Sequence, residues 1–137
     1  MFMLNMGPGM DMAFPDVCKT PVPTPAAVIP IPYPNMAAST TSAPAAYTIT
    51  INAMPVLNQL SKGMVSAGDQ PGVLLGMAGQ VIMGQTNYNL GCFTIFTGGA
   101  PAQRMTSLTG QNSLGVQPNA PVGMCLVPSQ LTVLALG

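Results

Sequence analysis

Tyr47-Thr48-Ile49-Thr50-Ile51-Asn52 alternates apolar and polar side chains without interruption. This period of two places Tyr47, Ile49 and Ile51 on one face of a strand and the polar residues on the other. Val81 to Met83, Cys92 to Thr97 and Leu131 to Leu136 read as further strands. Turn residues separate them: Gly84, Asn87 to Gly91, and Gly98-Gly99. Upstream, Pro15, Pro21, Pro23, Pro25, Pro30, Pro32 and Pro34 punctuate an extended segment. Each proline fixes its own φ and biases the preceding residue toward β or polyproline II. Val17, Val22, Val28, Ile29, Ile31 and Tyr33 are interleaved with them, so the segment reads as a rigid strap over a core. Ala37 to Ala46 and Ala67 to Gly72 read as loops, and Met54 to Val65 has room for one short helix. Short strands at close spacing predict a small all-β unit.

Composition supports that class. The 137 residues include 15 Gly and 15 Pro, a load that interior helices tolerate poorly and turns tolerate well. Only 4% of the chain is charged, against roughly 25% in ordinary soluble domains. The charge set is Asp11, Asp16, Asp69, Lys19, Lys62 and Arg104, with net charge zero. Such a chain has little electrostatic means of staying soluble alone, which favours a partner-bound body. No basic patch addresses nucleic acid, and no apolar run is long enough to span a bilayer or anchor stably in one. Residues 1–12 lack Lys and Arg and are broken at Gly7-Pro8-Gly9, unlike a secretory signal. The length suits one domain over 1–137, with 1–14 set apart as a flexible segment and no fused toxin domain.

Catalytic chemistry is poorly supplied. With no His there is no Ser-His-Asp triad and no Cys-His pair. Glu is absent too, so enzyme function is not expected. Asp16 beside Lys19, and Asp69 in a Gly-Pro loop, read as turn caps. Cys18, Cys92 and Cys125 form an odd, widely spaced set, read as buried free thiols rather than a disulfide framework. Zinc held by these three cysteines is the alternative, but no Cys-x-x-Cys spacing supports it. The expectation is therefore no metal and no cofactor. Twelve methionines read as core filling, or as adaptable packing against a partner.

Several pieces together resemble one family. Gly99-Ala100-Pro101-Ala102-Gln103-Arg104 is similar to the Pro-Ala-Ala-Arg motif of PAAR domains, with Gln103 in place of the second Ala. Pro15-Asp16-Val17-Cys18-Lys19-Thr20-Pro21, then Ile31-Pro32-Tyr33-Pro34-Asn35, resembles the opening signature of the PAAR-like branch. Ile49 to Val56 is similar to its strand–turn unit, with Ala53 and Met54 replacing Gly and Lys. Ser66-Ala67-Gly68-Asp69-Gln70-Pro71-Gly72 matches its Gly-Asp-Glu-Pro-Gly loop, and Pro128-Ser129-Gln130 precedes the last strand as in the family.

The resemblance implies a small conical β-structure that caps the trimeric VgrG-type spike of a type VI secretion system, one cap per trimer. It implies assembly in the bacterial cytoplasm and expulsion through the apparatus toward a target cell. An adaptor that recruits an effector or its chaperone, or the tip of a phage-like injection particle, is the second reading. PAAR domains fix their point with a metal held by three His and one Cys. A chain without His cannot build that set, so the point is expected to close by packing and hydrogen bonds. Arg104 is expected to bond backbone carbonyls or Asp69, or to contact spike or cargo.

Overall fold

The computed structural model describes residues 1–23, 27–115 and 117–136. Twelve strands run in order: β1 (Met10–Val22), β2 (Ala27–Ala38), β3 (Ser42–Ala43), β4 (Ala46–Ile51), β5 (Met54–Val56), β6 (Lys62–Gly63), β7 (Ser66–Ala67), β8 (Gln85–Tyr88), β9 (Cys92–Thr97), β10 (Ala100–Ala102), β11 (Leu108–Ser113) and β12 (Pro118–Val127). Among the described residues the only helical turn is a 3-10 turn at Ser39–Thr41. The all-β expectation holds.

Eight strands form one antiparallel sheet, ordered β3-β6-β8-β11-β12-β1-β2-β7. Residues 62–67 run between its two edges, and the Ser66 amide donates to the Gly84 carbonyl (2.9 Å), so the sheet curls toward closure. The remaining strands make two hairpins, β4-β5 and β9-β10. The proline-punctuated strap is the β1-β2 hairpin, paired from Met10–Ala38 to Val22–Ala27. A register shift between Ala13 and Asp16 absorbs Pro15, which has no N–H to give a ladder. Pro25 lies outside the described residues. Beside β1, β12 follows only as far as Ala13, and farther along the hairpin is flanked by residues 74–77. The sheet therefore narrows from eight strands toward a single hairpin.

Side-chain placement reverses the usual pattern. Along β1 Met10, Met12, Phe14, Pro15 and Pro21 are exposed, while Asp11, Ala13, Asp16 and Cys18 are buried. Buried positions elsewhere are rich in polar residues, among them Asn35, Ser66, Thr86, Thr109, Gln111, Asn112, Ser113 and Asn119. A sheet curled this tightly leaves a narrow lumen, which small polar side chains fill while hydrogen-bonding one another. Apolar burial is concentrated in two clusters. One gathers Met3, Ile51, Val56, Ala102 and Ala135, and the other Leu4, Leu57, Tyr88 and Cys125.

Five local expectations are corrected. Leu131–Leu136 is not a strand: the Thr132 and Val133 amides are taken by Gln130 Oε1, and only Leu134 makes a bridge, to Phe2. Met54–Val65 forms no helix, because its amides are taken by distant partners: Leu57 donates to Leu4 and Gln59 to Pro101. Val81–Met83 is not a strand; Gln80 and Met83 have φ of 52° and 54°, and the strand falls at Gln85–Tyr88. Ala37–Ala46 is no plain loop, but carries the end of β2, the 3-10 turn and β3. Residues 1–14 are packed into the body, with Met3, Leu4 and Asn5 buried.

Candidate functional site

The broad end is built from three equivalent pieces. In β4-β5, Tyr47-Thr48-Ile49-Thr50-Ile51 turns through Asn52-Ala53 into Val56-Leu57-Asn58. In β9-β10, Phe93-Thr94-Ile95-Phe96-Thr97 turns through Gly98-Gly99 into Ala102-Gln103-Arg104. All four turn residues have positive φ, as a two-residue hairpin turn requires. The third piece joins distant parts of the chain: Leu131-Thr132-Val133-Leu134-Ala135 lies against Met1 to Asn5, with Met3 N donating to Val133 O (3.0 Å) and Ala135 N to Met1 O (2.7 Å).

Hydrogen bonds repeat around these pieces in a closed cycle. Leu4 N donates to Gln103 O (2.9 Å), Gln103 N to Leu57 O (3.2 Å), and Leu57 N to Leu4 O (3.0 Å). Two residues outward the cycle recurs: Met6 N to Pro55 O, Gln59 N to Pro101 O, and Met105 N to Phe2 O, all at 2.8–2.9 Å. Side chains follow suit. Asn5 Nδ2 donates to Ile51 O, Asn58 Nδ2 to Thr97 O, and Arg104 Nη1 to Ala135 O. The amides of Asn5, Asn58 and Arg104 are each capped by a serine hydroxyl, from Ser129, Ser61 and Ser107. One chain thus carries approximate three-fold symmetry. Arg104 takes a backbone carbonyl, as expected, within this ring.

Around the ring the outer segments present one large–Thr–branched pattern three times: Tyr47-Thr48-Ile49, Phe93-Thr94-Ile95 and Leu131-Thr132-Val133. Tyr47, Phe93 and Leu131 are 61%, 58% and 68% exposed, which is high for large apolar groups. A cleft of about 360 Å³ opens between the first two pieces, along Tyr47, Thr48 and Gly98. This element is absent from the sequence-based expectations; the repeated large-Thr-branched triplet is its signal in the chain.

The resemblance motifs divide between two places. Pro101, Ala102, Gln103 and Arg104 belong to the ring, with Ala102 and Gln103 fully buried. Pro32 and Pro34 are exposed on β2, and Tyr33 Oη pairs with Thr20 Oγ1 at 2.7 Å. Asp16, Cys18, Asn35 and Asp69 converge inside the narrowing body, all fully buried. Asp16 Oδ1 accepts from Asn112 Nδ2 (3.2 Å) and from Asn119 Nδ2, and Asp16 Oδ2 accepts from Asn35 Nδ2 (3.0 Å). Asp69 accepts the Met83 amide at 3.2 Å. Neither Asp is a surface turn cap, because both side chains turn inward to satisfy buried amides. Burial, then the neighbouring Asp16, pushes the Cys18 thiol up to about 12, and burial raises the Asp69 carboxyl.

Nearer the ring, Tyr88 Oη donates to Asp11 Oδ2 (2.9 Å), and burial raises the Asp11 carboxyl. The three cysteines are free and buried. They do not form a common ligand set among the described residues; Cys18 instead meets Asp16 and Asp69. The three-His-one-Cys set implied by the resemblance has no counterpart in residues that include no His.

A family model for the toxin PAAR-like domain matches residues 9–118. No curated protein and no solved structure matches the chain.

Proposed function

The chain belongs to the PAAR-like toxin-domain family, and on that basis we propose that it is a non-catalytic tip for the trimeric spike of a contractile secretion apparatus of the type VI kind. The observation that carries this reading is the three-fold ring. A trimer ends in three identical strands, and a single chain can meet all three equally only with three equivalent surfaces of its own. The exposed Tyr47, Phe93 and Leu131 segments supply such surfaces, the first two on strands that can continue a ladder. An uncharged base suits this contact, because burying an unpaired Lys or Glu there costs several kcal/mol. The narrow β1-β2 end then points away from the spike. In this reading the protein is assembled in the cytoplasm and leaves with the spike.

The test is to mix the full chain with a trimeric spike protein and measure the mass of the eluting complex. One chain per trimer is the expected result. No co-elution, or three chains per trimer, overturns it. Tyr47→Glu and Phe93→Glu, both at largely exposed positions, are expected to abolish co-elution and leave folding intact.

A second reading adds cargo recruitment. Leu108, Met124, Met12 and Met36 lie side by side across β11, β12, β1 and β2, all exposed. This apolar row on the side wall is separate from the base and rich in adaptable methionine. A ternary complex of spike, tip and effector or chaperone, lost on Met12→Lys while spike binding persists, would support it.

A further inference from the structure

We propose that the free chain pairs with a second copy of itself through the outer wall of its sheet, the face opposite the polar lumen. Met10, Met12 and Phe14 of β1 are exposed on that wall beside Val122, Met124 and Leu126 of β12. Met36 on β2 and Leu108 on β11 extend the apolar surface to either side, through the Met12–Met36 and Leu108–Met124 pairs. Each of these side chains is between 36% and 62% exposed. No charged side chain stands among them. Asp11, Asp16 and Asp69 are buried, Lys62 lies on β6, Arg104 belongs to the ring, and Lys19 lies farther along β1, past Pro15.

What can cover such a wall follows first from its backbone. β11, β12, β1 and β2 each have a strand neighbour on both sides, so no partner can add a strand here. Docking must be by side chains, face to face, as packed sheets do. Charge then favours an identical partner. Across a two-fold axis any charged residue of the wall would approach its own copy, and a wall without charge escapes that repulsion.

Area agrees with a dimer. The exposed parts of these side chains amount to roughly 700 Å², close to the ~800 Å² per partner of a standard interface. The wall is the convex side of a curled sheet, so two copies touch along β1 and β12 rather than flat across the sheet. Methionine is unbranched and adaptable, and Met36 can reach over the gap where the surfaces fall away. A contact of this size and shape suits a dimer that parts on dilution rather than a permanent one. Cargo bound on the same wall displaces the second copy. The pairing is a property of the free chain and does not rest on the spike reading.

Light scattering on the full chain, without spike protein and over a range of concentrations, tests this. The expected result is a dimer mass at micromolar concentration that falls to the monomer on dilution. Met12→Lys enters the contact twice, once per copy, and is expected to raise the dissociation constant at least ~30-fold. Leu114→Lys, at a position 81% exposed on the connection from β11 to β12, should leave the dimer intact. In the unmutated chain, brief peroxide treatment should oxidise Met12, Met36 and Met124 more slowly as the dimer forms. Met77, exposed outside the wall, should keep its rate. That measurement reads the contact even where a variant fails to fold. A monomer at every concentration, an oligomer that Met12→Lys leaves unchanged or Leu114→Lys breaks equally, or equal oxidation in both states overturns the proposal. A monomer that floats with neutral lipid vesicles overturns it too, in favour of a lipid surface on the same wall.

Discussion

Replacing Gln103 with leucine removes the one polar residue from a ring position that is apolar in the other two pieces. Leu4, Leu57 and Gln103 are equivalent in the hydrogen-bond cycle, and all three are fully buried. Leu4 and Leu57 pack with Tyr88 and Cys125, whereas Gln103 Oε1 and Nε2 have no partner. A buried unsatisfied polar atom costs about 1–3 kcal/mol, and an apolar group of the same shape avoids that cost. For two such atoms, with some relaxation of the surroundings, Gln103→Leu should stabilise the chain by about 2–4 kcal/mol. The average unfolding entropy per residue gives about 0.29 kcal/mol/K for 137 residues, so the melting temperature should rise by roughly 7–14 °C. Urea denaturation with a common m value and calorimetry read the change directly. The reciprocal Leu57→Gln should cost a similar amount. A Gln103→Leu chain no more stable than the original would refute the equivalence, and would mean that the carboxamide holds something the ring needs.

Two further outcomes follow from buried groups and backbone. The Asp11 carboxyl is raised by burial, so its contribution is full below the unfolded value of 3.8 and is lost as pH rises through the folded value. Denaturant midpoints of the native chain should fall as pH increases over that window. Asp11→Asn should flatten the fall without abolishing it, since Asp69 is raised in the same sense; parallel curves for the two chains would contradict this. Gly68 has φ of 131°, and a Cβ there would strike the Pro34 carbonyl. Gly68→Ala should therefore cost at least about 3 kcal/mol, while Gly99→Ala, at φ 83° with open space around it, should cost about 1 kcal/mol. Equal losses in denaturation would sink the steric argument.

The strands at 46–51 and 92–97 were legible because each is a local alternation bounded by turn residues. Alternation separates two faces without saying which one is inside. In β1 the methionines and Phe14 face out, and the aspartates face in. A narrow lumen decides this, and only the three-dimensional curl reveals the lumen. The expected strand at Leu131–Leu136 is instead an irregular segment whose bonds go to residues 1–5, a partnership no window can see. Asp16 and Asp69 looked like separate turn residues because 53 positions divide them. The ring escaped notice for another reason. Its third repeat is split between residues 1–5 and 131–135, which hides the period that Tyr47-Thr48-Ile49 and Phe93-Thr94-Ile95 display.

That split repeat also governs when the molecule can become itself. Leu4 accepts from Leu57, and Met1 accepts from Ala135, so the third piece stays incomplete until residues 131–135 have been made. A nascent chain with two hairpins complete still exposes the ring's unpaired backbone and its apolar cluster. Closure of the third piece therefore waits for synthesis to reach residue 135.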